Sequence, residues 1–72
     1  MISTELGLQI ASLRKARGLT QEQLATAAGY SVEFISLVER GINAPSIAGC
    51  ERIAQALGVP IRQLFDFSNE AG

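Results

Sequence analysis

The 72-residue chain has no histidine, no tryptophan, one cysteine, one tyrosine and two prolines. With Cys50 alone no internal disulfide can form, and without histidine the usual zinc ligand sets cannot be assembled. A Ser/His or Cys/His nucleophile is excluded on the same ground, which leaves only carboxylates for acid or base chemistry. The expectation is therefore no enzyme, no metal, no cofactor and no small-molecule ligand. An excess of charge of one sign is missing as well. Six Lys+Arg stand against seven Asp+Glu, a net charge of -1 with a pI near 5.2, unlike proteins held to nucleic acid by bulk charge. No apolar run approaches the roughly 18 residues of a membrane helix. Met1 to Ile10 lacks the basic region and apolar stretch of a secretory signal. A cytoplasmic protein without membrane contact is expected.

What is present is a 47% hydrophobic composition, which suits one globular domain over residues 1–72 with a core over about 4–66. A chain this short buries only about 60% of the surface its unfolded form exposes, so a surface binder is expected in place of a deep cavity. Gly18, Gly29, Gly41 and Gly58 each follow an apolar-periodic segment, where a left-handed helix cap is wanted. They divide the chain into short helices. The first, from about Thr4 to Arg17, carries Leu6, Ile10 and Leu13 on one face, with Ser3 or Thr4 as candidate N-caps. Thr20 and Gln23 form a capping box for the second, whose buried face is Leu24 and Ala28.

Ser31 caps the third helix, Val32 to Arg40, which buries Phe34, Ile35 and Val38 and leaves Val32, Glu33, Ser36 and Leu37 on the other side. Glu33 also suits the positive end of that helix dipole. Ser46 opens a fourth helix with Ile47, Cys50, Ile53, Ala54 and Leu57 as its apolar stripe. Pro60 is tolerated in a first turn, and Ile61, Leu64 and Phe65 mark a short fifth helix before a polar tail expected to fray. Cys50 reads as a small buried hydrophobe. Gly7 and Gly49 fall inside helices, which signals either close backbone approach or plain tolerance at about 1 kcal/mol each. Tyr30 either covers the wedge between helices two and three or reaches outward.

Helix two ends at Gly29 and helix three starts only two residues later, so the pair must cross closely, with Ala25 and Ala28 small enough to allow it. Residues 21–40 thus have the grammar of a helix-turn-helix. Thr20-Gln21-Glu22-Gln23-Leu24-Ala25, Ala28-Gly29, Ser31, Ile35-Ser36 and Glu39-Arg40-Gly41 resemble the phage Cro and repressor type of helix-turn-helix domain, the XRE family. Pro45-Ser46, Ile53 to Val59 and Leu64-Phe65 continue the pattern, so the resemblance covers about Leu8 to Phe65. It implies an all-α, compact five-helix bundle of the lambda-repressor-like type. It also implies a sequence-specific DNA-binding transcription regulator, commonly a dimer on a palindromic operator.

Carried over residue by residue, the resemblance implies base-facing positions at Ser31, Val32, Glu33, Ser36 and Leu37. It implies phosphate contacts at Gln21, Arg40 and Asn43, with Arg17 as a further candidate, and an internal ion pair between Arg14 and Glu39. Many members carry glutamine where this chain has Val32 and Leu37, and a basic residue where it has Ile42, so polar readout is weakened. Val32 suits a thymine methyl, and Glu33 suits cytosine N4, although a misplaced carboxylate repels phosphate. Ile61, Leu64, Phe65 and Phe67 form an apolar C-terminal stripe expected at a homodimer interface, with Leu6, Phe65 and Phe67 open to a core role as well. The acidic pI and apolar Val32, Leu37 and Ile42 leave a second reading, a protein-interaction module of antitoxin type or the head of a larger chain.

Overall fold

Amphipathic periodicity along the chain becomes four α-helices and one 3-10 helix, in the order α1 (Ile2–Ala16), α2 (Gln21–Ala28), α3 (Val32–Glu39), α4 (Ile47–Leu57) and a 3-10 helix over Ile61–Phe65. The structure, a computed structural model, describes residues 1–67, and the polar tail expected to fray lies outside the described residues. Among the described residues there is no strand, and no helix is long and apolar enough to cross a membrane.

The expected fifth α-helix is a 3-10 helix. Pro60 is its extended N-cap and not part of a first turn, and the five residues that follow open with an i to i+3 bond from Gln63 N–H to the Pro60 carbonyl, 2.9 Å. Helix α1 also starts earlier than Ser3 or Thr4 would allow as caps. The N–H groups of Thr4 and Glu5 both donate to the Met1 carbonyl at 3.1 Å, and no side chain caps the helix. The other starts follow the sequence. Thr20 and Gln23 form the reciprocal capping box of α2, Ser31 Oγ accepts from Phe34 N–H at 3.1 Å, and Ser46 Oγ accepts from Gly49 N–H at 3.0 Å.

The core collects Leu6 and Ile10 from α1, Leu24, Ala25 and Ala28 from α2, Ile35 and Val38 from α3, and Cys50, Ile53, Ala54 and Leu57 from α4. Val59 and Leu64 close it from below. Each large aliphatic side chain removed from water contributes about 1.5–3 kcal/mol, so the stripes hold the bundle together despite its size. Ile47, expected in the α4 stripe, is 72% exposed, because the first residue after the Ser46 cap points off the packed face. Phe34 is only half-buried and stacks on Tyr30 instead of entering the core. Gln9 is buried, and its Nε2 donates to the Gln63 carbonyl at 2.8 Å, tying α1 to the 3-10 helix.

Gly7 lets α1 lie directly on the end of α3. A Cβ there would collide with the Val38 carbonyl oxygen and sit 2.8 Å from that of Glu39. Close approach, not tolerance, explains this glycine, and the same holds at Gly49, where a Cβ would collide with the Tyr30 hydroxyl. Cys50 is buried, and burial pushes its thiol pKa up, away from thiolate reactivity.

Candidate nucleic-acid interface

The turn between α2 and α3 is made by one left-handed residue. Gly29 has φ 78°, a conformation that costs side-chain-bearing residues, and from it Tyr30 N–H reaches back to the Ala25 carbonyl at 2.9 Å. Tyr30 and Ser31 then lead directly into α3, whose first turn carries Val32 and Glu33 into solvent. Glu33, Ser36, Leu37 and Arg40 line one shallow groove along the outer side of α3. Val32 is exposed at 37%, Ser31 and Glu33 are exposed, and Ser36 and Leu37 are half-buried. The five side chains expected to face bases therefore lie on or beside one helix face.

At the end of α3 sits an ion pair. Arg14 Nε donates to Glu39 Oε2 at 2.7 Å and Nη2 donates to Oε1 at 3.1 Å, with side chains 11% and 6% exposed. Arg14 Nη1 also donates to the Leu19 carbonyl at 2.8 Å. Gln21, at the start of α2, donates from Nε2 to the same Glu39 Oε1 at 2.9 Å. That bond uses one amide hydrogen and leaves the second for an incoming acceptor. Arg14, Gln21 and Glu39 thereby join α1, α2 and α3 at one point. Every buried side-chain polar atom among the described residues has a partner.

Arg40 caps α3 and is exposed, as are Asn43 in the following loop and Arg17 after α1. The loop is held to the end of α3 by Ile42 and Asn43 N–H groups, which donate to the Leu37 carbonyl at 3.0 and 3.3 Å. Leu64, expected at a dimer surface, is fully buried in the chain's own core and offers no surface, and Leu6 is likewise core. Phe65 is 38% exposed, Ile61 and Phe67 are half-buried, and the two phenylalanine rings meet edge to face at 6.5 Å. Sequence reasoning missed Arg52. From α4 it donates to the carbonyls of Ala28 and Gly29 and lies over the Tyr30 ring. Its position outside the apolar stripe was visible, but the fold alone reveals its target.

The helix-turn-helix family model matches residues 10–64. The chain belongs to the XRE-type helix-turn-helix family. It is 41% identical over 54 residues to y4dJ, an HTH-type transcriptional regulator of Sinorhizobium fredii, a match covering 75% of this chain and 70% of that protein. It is 39% identical over 56 residues to the immunity repressor of Bacillus phage phi105, covering 78% of this chain and 39% of the repressor. Among solved structures it is similar to the restriction-modification controller protein C.AhdI of Aeromonas hydrophila, with TM-score 0.86, 35% identity, and 88% of this chain and 96% of that one covered. These relatives are named regulators and a repressor, not enzymes. Among the described residues, no group of three or more His, Cys, Asp or Glu is placed to hold a metal ion.

Proposed function

We propose that this chain is a cytoplasmic, sequence-specific DNA-binding transcription regulator, a repressor that inserts α3 into the major groove. The observation that carries the reading is the outer side of α3. Glu33, Ser36, Leu37 and Arg40 line it, with Ser31 and Val32 exposed at its start, and Gln21, Arg17, Arg40 and Asn43 would serve as phosphate ligands. The family membership and the relatives' names support it. Phosphate contacts would set the register, while Val32 on a thymine methyl and Glu33 on cytosine N4 would discriminate bases. A symmetric homodimer closed through Ile61, Phe65 and Phe67, with Leu64 supporting them from the core, would place two copies of α3 about 34 Å apart on a palindromic operator.

Exposed apolar Val32 and Ile42, at 37% and 58%, favour a second reading, a protein-docking module with weak DNA binding. Selection from a random duplex library by the wild type, Arg40→Ala, Val32→Ala and Glu33→Gln separates the two. Under the DNA reading, Arg40→Ala weakens binding to all sequences alike. Val32→Ala costs on the order of 1 kcal/mol and relaxes preference at one thymine. Glu33→Gln alters specificity where the carboxylate reads cytosine, and strengthens binding to every duplex where it does not. Unselective enrichment with all four proteins refutes the DNA reading.

A further inference from the structure

Helix α2 ends with carbonyls that have no helical partner, and the side chain that takes them comes from α4. Arg52 Nε donates to the Ala28 carbonyl at 2.9 Å and Nη2 donates to the Gly29 carbonyl at 3.2 Å. With the guanidinium so fixed, its Cζ lies 4.4 Å from the centre of the Tyr30 ring. The other face of the aromatic pair belongs to α3, because Tyr30 stacks on Phe34 at 4.5 Å and 30°. One turn earlier on α4 is Gly49, and a Cβ there would collide with the Tyr30 hydroxyl. Residues three apart share a helix face, so Gly49 and Arg52 together form a socket for Tyr30.

We propose that Arg52 is a positioning residue for DNA reading. By gripping the end of α2 and the Tyr30 ring it holds, through Phe34, the first turn of α3, where Val32 and Glu33 face outward. The inference rests on the DNA-reading function proposed above. Phe34 is the third residue of α3, and its N–H is already held by Ser31 Oγ. That cap fixes the helix start only to the turn itself, whereas the stack on Tyr30 fixes it to α4. The guanidinium suits the task because its planar fork can bond two carbonyls and still stack on an aromatic face, which an ammonium cannot do in one geometry. The contrasting role for an exposed arginine is a phosphate ligand, using the N–H groups that do not point at the turn.

The test uses the full chain and two duplexes, one enriched by the wild type from a random library and one of random sequence. Arg52→Ala and Tyr30→Leu should each reduce the preference for the enriched duplex by about tenfold, the scale of one base contact. Affinity for random duplex and its salt slope should stay unchanged. Arg52→Lys should restore only part of the preference. Gly49→Ala should reproduce the loss with Arg52 intact, and Gly49→Ala/Tyr30→Phe, which removes the colliding hydroxyl but keeps the Pro45 Cβ and the ring Cζ at 3.2 Å, should recover part of it. Amide exchange at Phe34 and Ile35 should quicken in Arg52→Ala. Intrinsic fluorescence, which reports Tyr30 alone in a chain with one tyrosine and no tryptophan, should change as well. A shallower salt slope with equal losses on both duplexes would make Arg52 a phosphate ligand and overturn the proposal, as would unchanged preference in Arg52→Ala. If the wild type enriches no duplex, the DNA reading itself fails. Amide exchange then decides whether Arg52 holds α3, and unchanged exchange overturns that too.

Discussion

In Arg14→Ala the Glu39 carboxylate would lose both guanidinium bonds, at 2.7 and 3.1 Å, and keep only the Gln21 amide at 2.9 Å. The Leu19 carbonyl would lose its donor at 2.8 Å in the same step. With Glu39 only 6% exposed, water does little to replace what is removed, and breaking such a pair from one side costs about 3–5 kcal/mol. A domain of this length has a total stability of about 4–11 kcal/mol, so the loss is a large fraction of it. At about 4–8 °C per kcal/mol, a loss of about 3 kcal/mol lowers Tm by about 12–24 °C. Glu39→Ala should behave alike, since it strands the guanidinium and the Gln21 amide together. Arg14→Met/Glu39→Leu should recover most of the loss, because no buried charge is left unpaired. Thermal melts followed by far-UV circular dichroism read all three variants. Single variants that melt within about 4 °C of wild type would place the pair with exposed ion pairs worth under about 1 kcal/mol and refute the reasoning.

Gly7→Ala should destabilise the chain by about 1–3 kcal/mol in urea, because the new methyl meets the carbonyls at the end of α3; an unchanged midpoint would mean that α1 does not pack there. The Cys50 thiol has its folded pKa raised by burial, so its contribution to stability is present below the ordinary thiol pKa and is lost as pH rises through the raised value. Urea titrations at neutral and alkaline pH should therefore show wild type declining more than Cys50→Ala, and equal declines would count against it. Phe65→Ser and Phe67→Ser should shift sedimentation from dimer towards monomer, while Leu64→Ala should instead cost about 2–5 kcal/mol of fold stability. A wild-type monomer at about tens of micromolar, with and without DNA, would argue against the dimer.

Local chemistry makes much of this fold readable in the sequence. Ser31, Thr20 with Gln23, and Ser46 are caps whose partners lie three residues away, so their bonds depend on nothing distant. Positive φ at Gly18, Gly29, Gly41 and Gly58 follows from the same kind of local demand. What was misjudged depended on the angle at which helices meet. Ile47 belongs to the correct helix but points away from its neighbours, and Leu64 turns inward where the sequence stripe suggested a surface. Whether the 3-10 helix would tighten was also hidden, because both helix types present the same apolar spacing over one turn. At the candidate interface, the contact between Gln21 and Glu39 joins residues 18 apart in the chain, and the grip of Arg52 joins residues 23 and 24 apart, beyond any periodicity.

The internal use of arginine bears on how the chain would hold DNA. Of six cationic residues, Arg14 is directed at Glu39 and Arg52 at the turn carbonyls. That leaves Lys15, Arg17, Arg40 and Arg62, all exposed, as the cations free to meet phosphate, beside the neutral donors of Gln21 and Asn43 and backbone amides, which bond phosphate without neutralising it. Neutralising so few phosphates implies Z of about 3 or 4 per subunit, or a slope of log K on log salt near -3 for each. Two subunits acting together would then give a slope near -6, shallower than the value of about -10 for the lac repressor. Affinity at moderate salt would consequently rest on dimer avidity and on base and shape complementarity more than on counterion release. Binding of the enriched duplex across a salt series measures this directly. A slope near zero would remove the phosphate ligands assigned here, and a dimer slope steeper than about -10 would require cations that these residues do not supply.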